Sequence, residues 1–186
     1  MFLLLAAAVS ACGSDDADMS APEPAVSETA ASGDGASGAS GSDVMARFTS
    51  CDDVAPAVAQ YNEGLQESAS NMVSEYGVIC GWETPDGATD LGQIRTVEVV
   101  VEPWSGEVSA AGDLGAGGLV VVPDAGLEQA GGIAYTLNLS TSVAGVIVTT
   151  VETPDAKVTI SGGKWDDVPA LDGPAAVSVA KQLIGL

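Results

Sequence analysis

Histidine is missing from this chain altogether, and basic residues are nearly so: five Lys and Arg stand against 26 Asp and Glu. Without imidazole there is no Ser-His-Asp or Cys-His catalytic arrangement and no histidine-based zinc site. A formal charge of −21 repels nucleic acid and anionic headgroups, so nucleic acid is not an expected partner. The acids are scattered, which reads first as a solvated surface and second as an attraction for cations or a basic partner. Aromatic residues make up only 4% of the chain. Cysteine occurs three times, at Cys12, Cys51 and Cys80. An odd number in a chain with export features asks for a separate explanation of one of them.

What is present begins with an address. Phe2 to Val9 read FLLLAAAV, followed by Val9-Ser10-Ala11-Cys12. The apolar run is far short of the about 20 residues that a spanning helix needs. A short apolar run ending in small residues is the pattern of a signal peptide, expected over residues 1–11. Its opening Met1-Phe2 carries no Lys or Arg, so a truncated start is expected. The segment before Cys12 resembles the bacterial lipobox, with Val9 in place of the usual Leu. That resemblance implies cleavage ahead of Cys12 and a diacylglyceryl group on its thiol. Two acyl chains hold a protein at a membrane stably, whereas one gives marginal residence. The expected location is the extracytoplasmic face of the cell membrane.

Residues 12–43 are Gly, Ser, Ala, Asp, Glu and Pro with almost nothing large and apolar. Such a stretch cannot bury enough surface to offset its ordering entropy and reads as a flexible tether. Seven of the acids lie in it and all five basic residues follow it. The remainder, residues 44–186, therefore sets five positive charges against nineteen negative, a net of −14. With 46% of the whole chain hydrophobic, one globular domain with a real core is expected there.

Within that domain Asp53 to about Ser68 has helical spacing in Val54, Val58 and Leu65, with Pro56 in the first turn. Tyr76–Thr84 reads as a strand, Pro85-Asp86-Gly87 as a turn and Gln93–Glu102 as a second strand. Ser105–Gly118 is a Gly/Ala-rich connection with room for one short helix. Leu119–Val122, Ile133–Ser140, Val143–Glu152 and Lys157–Ser161 are further strands, the last two joined by a Thr153–Ala156 hairpin. Asp172 caps a closing helix with Pro174 in its first turn and Ala176, Val179, Ala180 and Leu183 on one face. Strands joined by short turns pair antiparallel. The expected fold class is α+β: a twisted antiparallel sheet with N- and C-terminal helices packed on it.

Cys51 opens the first helix and Cys80 lies mid-strand. Outside the cell the pair is expected to be bridged, a loop closure worth about 3.5 kcal/mol in the chain-entropy account; the alternative is a reactive free thiol. Bridging answers the odd count, because Cys12 goes to lipid. Cys51-Asp52-Asp53-Val54 opening a helix, then Ile79-Cys80-Gly81-Trp82 in a strand, resembles the small actinobacterial lipoproteins that carry a domain of unknown function after a lipobox and a Ser/Gly/Pro-rich tether. The resemblance covers the chain from Cys12 onward. It implies a sheet-and-helix fold similar to that of photosystem accessory lipoproteins, and it carries no functional residues over.

Motifs with chemistry are few. Ser161-Gly162-Gly163-Lys164 matches S-x-x-K, but its glycines and Trp165 to Pro169 argue for a loop, and the partner triplets S-D-N and K-T-G are absent. Gly112–Gly118 has neither a P-loop lysine nor the G-x-G-x-x-G spacing. Asp86 to Asp90, and Asp166 and Asp167 with Asp172, are acidic loops open to calcium, yet neither has EF-hand spacing; solvated turns are the first reading, and no metal or cofactor is expected. Asn138-Leu139-Ser140 fits a glycosylation sequon but reads as strand. Trp82, Trp104 and Tyr135, with Tyr76 and Trp165, are candidates to line an apolar pocket for a lipid or glycan, against the plainer reading of core aromatics. The function expected is a monomeric, non-catalytic binding or accessory module of the envelope, with an envelope protein or a small apolar ligand as partner. A purely structural envelope protein and a Ser161–Lys164 hydrolase are the alternatives.

Overall fold

The computed structural model describes residues 41–90, 93–140, 145–165 and 168–186. The segment expected to be a signal peptide, Cys12 and nearly all of the expected tether lie outside these residues. Among the described residues, no helix is long and apolar enough to cross a membrane.

The first described element is α1 (Gly41–Met45), which includes the last three residues of the expected tether. Gly41 belongs to the fold because its backbone lies against the Asp155 carbonyl and Pro103, where a Cβ would have no room. A single 3-10 turn, Cys51–Asp53, follows, with Ser50 as its cap. Asp53 closes a capping box by accepting from the Ser50 N–H, and it also takes the Thr49 N–H and hydroxyl. These donors hold its carboxyl below the ordinary value, against the opposing pull of burial.

The helix expected over 53–68 is not continuous. Only α2 (Ala55–Val58) is α-helical, and its apolar positions Val54 and Val58 are fully buried. Gly64 then adopts φ +77°, a left-handed conformation that ends helices. The Arg95 guanidinium holds the turn by donating to the Glu63 carbonyl at 2.6 Å. The chain reverses into two short strands that sequence periodicity did not reveal, β1 (Gln66–Glu67) and β2 (Met72–Ser74).

The remaining strands are β3 (Gly77–Glu83), β4 (Thr96–Pro103), β5 (Val120–Val121), β6 (Ile133–Ser140), β7 (Gly145–Glu152) and β8 (Ala156–Lys164). They form one eight-stranded sheet in the order β1-β3-β4-β8-β7-β6-β5, with β2 also on β3, and every pairing is antiparallel. Between β4 and β6 lie α3 (Ala111–Leu114), a 3-10 turn and α4 (Ala125–Gln129). Asp124 caps α4 by accepting from Leu127 N–H, and it also takes the Lys181 ammonium at 2.9 Å. α5 (Gly173–Ile184) closes the domain, capped by Asp172 and ended by Gly185 at φ +79°. The α+β class, the terminal helices and the antiparallel sheet all match the sequence reading.

The strands carry their burial in alternation. On β4, Val97, Val99 and Val101 are buried while Thr96, Glu98 and Glu102 are exposed. The buried set joins Val78, Cys80 and Trp82 of β3, Val158 and Ile160 of β8, and the apolar stripe of α5 in one core. Each fully buried aliphatic side chain contributes about 1.5–3 kcal/mol. The sheet thus has a helix face, which holds the core, and an opposite face with no long helix on it among the described residues. Cys51 and Cys80 are joined across this core with Cα atoms 5.6 Å apart, tying the first 3-10 turn to β3.

Ser161–Lys164, expected as a loop, is the end of β8 and pairs with β7 as far as Lys164↔Gly145. The glycines serve close packing here. A Cβ on Gly162 would strike Leu171, and one on Gly163 would strike the Gly145 carbonyl and the Trp165 ring.

Candidate functional site

Cross-strand register shows what the helix-free face displays. In one row Glu98 of β4 is opposite Ser161, Ser161 is opposite Val148, and Val148 is opposite Leu137 of β6. A second row runs Glu102, Lys157, Glu152 and Ile133 through the same strands. Directly opposed residues of an antiparallel pair point to the same side, so on this face β4 carries Glu98 and Glu102 about Val100, and β6 carries Ile133, Leu137 and Leu139, with Glu152 the one acid of β7. Leu139 and Val146, facing each other across β6 and β7, are 50% and 40% exposed.

One end of this face is covered. Thr149, Thr150, Val151 and Glu152 are all buried, which means burial on both sides of β7. Trp104 and Ser109, from the connection after β4, form part of the cover: Lys157 sits over the Trp104 ring, and the Ser109 N–H donates to Glu152 Oε2 at 2.9 Å. Leu114, farther along that connection, is buried apart from the main core. Glu152 Oε1 accepts from the Tyr135 hydroxyl at 2.7 Å. Burial pushes the Glu152 carboxyl up, but bonds from Ser109 and Tyr135 and the charge of Lys157 together hold it below the ordinary carboxylate value. The Tyr135 hydroxyl, desolvated and tied to that carboxylate, is pushed up to about 12. The Lys157 ammonium sits 4.9 Å from the centre of the Trp104 ring, a cation–π contact, and Gly106 packs against the same ring.

The three aromatic residues expected to line one pocket are not brought together. Trp82 is buried on the helix face of β3 and packs in the core. Tyr135 points to the opposite face of β6, and β4, β8 and β7 lie between the two strands. Trp104 follows β4, beside Lys157. Three depressions among the described residues lie elsewhere. One of about 190 Å³ lies under Val121, Leu127 and Ile133, below the about 300 Å³ at which ligand sites usually begin. Two broader ones, of about 290 and 440 Å³, are open dishes beside α5.

Ser161 and Lys164 stand three residues apart on a strand, so their side chains leave from opposite faces; the S-x-x-K chemistry needs one helical face. Among the described residues no group of three or more acids and cysteines could hold a metal. Asp172 is engaged in capping α5, and Asp166 and Asp167 lie outside the described residues. Sequence reasoning missed Glu152, Ser109 and Lys157. The available signal was the alternation Val146, Val148, Thr150, Glu152, which places the carboxylate on the same face as its strand's aliphatic residues. No protein-family model matches the sequence, and no curated protein is similar to it.

Proposed function

We propose that this chain is an envelope lipoprotein, cleaved ahead of Cys12 and acylated on it, whose domain is a non-catalytic binding module held outside the membrane on a flexible tether. One observation carries the binding role: the helices that bury the core share one face of the sheet, and the other face keeps exposed aliphatic side chains beside exposed carboxylates. A purely structural domain gains nothing from leaving Leu139 and Val146 in water. The lipobox-like Val9-Ser10-Ala11-Cys12 and the resemblance to small actinobacterial lipoproteins support the anchored location.

Intact-mass measurement on the full chain, extracted gently from membranes of a host that processes lipoproteins, tests the anchor. The expected mass corresponds to a chain beginning at Cys12, carrying a diacylglyceryl group and lacking the two hydrogens of the Cys51–Cys80 bridge. A bare polypeptide would overturn the anchor.

A further inference from the structure

The helix-free face sets two chemistries side by side, and we infer that it docks a cationic polypeptide surface carrying aliphatic side chains next to its basic ones. This deepens the binding-module reading and rests on it. The aliphatic half is a patch: Leu139 and Val146 are exposed, and the next row, Leu137 opposite Val148, is half-buried. Single exposed aliphatic residues are ordinary; two adjoining cross-strand pairs form a contiguous surface of the kind that marks interaction sites. The other half is acidic, with Glu98 and Glu102 exposed on β4 and Glu83 half-buried on β3. The pairing register puts one basic side chain in this region, Lys157, and it is engaged over Trp104.

Charge selects the occupant. A second copy of this domain would bring another −14 against the first, and anionic headgroups are repelled likewise. A neutral apolar ligand would leave the carboxylates desolvated without partners, which is costly. A basic polypeptide satisfies both halves, with aliphatic contact supplying affinity and charge supplying encounter rate and selectivity. The spacing is set by the sheet. From β4 to β6 is three strand intervals, about 14 Å, a distance that four or five extended residues cover.

The test is amide chemical-shift mapping on the isotope-labelled full chain. The probe is a synthetic peptide with a Leu-Val pair, a five-residue Gly/Ser spacer and three lysines. Shifts are expected in β4, β6, β7 and β8, with affinity at least tenfold weaker for Leu139→Ser/Val146→Ser and for Glu98→Gln/Glu102→Gln, and falling with salt. All four positions are exposed, so the variants keep the wild-type melting temperature. Four results would each overturn the inference: affinity unchanged in both variants, equal binding of a peptide with glutamates in place of lysines, dimerisation that depends on Leu139, or phosphatidylcholine-vesicle binding that Leu139→Ser abolishes. A peptide that fails while the same face still crosslinks to an envelope protein refutes the cationic partner and leaves the binding-module reading standing.

Discussion

Replacing Glu152 by Ala should open the covered end of the helix-free face, and the cost follows from its contacts. Glu152 is 3% exposed and accepts from two groups, the Ser109 N–H and the Tyr135 hydroxyl. Each is a charge-assisted bond, worth about 1.5–3 kcal/mol, and truncation leaves both donors without an acceptor. The expected loss is about 3–4 kcal/mol. At about 2.1 cal/mol/K of unfolding entropy per residue, a domain of this size has a ΔS near 0.3 kcal/mol/K, so the melting temperature should fall by about 12 °C. Tyr135→Phe removes one donor and costs about 2 kcal/mol. In the double variant the phenyl ring that replaces the phenol needs no acceptor, so the two effects are less than additive, with a coupling of about 1–2 kcal/mol. The sign with pH is also fixed. A carboxyl held below its unfolded value stabilises above the ordinary carboxylate range, and that stability is lost as pH falls through the folded value. Tyr135→Phe removes one of the lowering influences and brings the folded value closer to the unfolded one, so its acid loss should be smaller and end at higher pH than in the wild type. Thermal unfolding by circular dichroism across pH, with hydrogen exchange of the Ser109 amide, measures all of this. Strict additivity, or a Ser109 amide equally protected in Glu152→Ala, would refute the account of the cover.

Three further outcomes follow from other contacts. Cys51→Ala/Cys80→Ala releases a loop with a sequence separation of 29, for which the chain-entropy account gives about 3.6 kcal/mol; denaturant titration should show that loss, and a change under about 1 kcal/mol would place the bridge's effect elsewhere. Tyr135 should show tyrosinate absorbance only near pH 12, a step missing from Tyr135→Phe. Its raised value means stability is full below the unfolded tyrosine value of about 10 and declines between about 10 and 12. Gly163→Ala should destabilise by about 1–3 kcal/mol through overpacking, since its Cβ would meet the Gly145 carbonyl and Trp165; a neutral result in denaturant unfolding would refute the close β7–β8 packing at this position.

Much of the architecture was legible where local chemistry and tertiary context agree. Ile133–Ser140 alternates cleanly and is a strand over those residues, and Asp172 with Pro174 marks the start of α5 where the structure places it. The first helix misled because Val54 and Val58 do share a buried face, but only for one turn. The break comes from Gly64 in the left-handed region and from Arg95, which arrives from a distant part of the chain. β1, β2 and α4 are too short to show a period. The Gly162-Gly163 pair reads locally as a loop, and only the positions of Leu171 and Trp165 reveal it as packed strand. The candidate site was least legible. Tyr135 stands out as a single residue, but its meeting with Glu152 depends on β6 and β7 lying side by side in register. The acidic-to-aliphatic gradient depends further on β4 joining β8, a pairing across more than fifty residues of chain that no local pattern encodes.

The central claim is that the helix-free face, and not the helix face, is where this domain meets its partner. Photo-crosslinking in living cells tests it most directly, with a benzophenone amino acid at Leu139 in one full-length variant and at exposed Ser178 of α5 in another. The account predicts a discrete envelope-protein adduct from position 139 and none from position 178. An adduct from 178 alone, or none from 139, would contradict it.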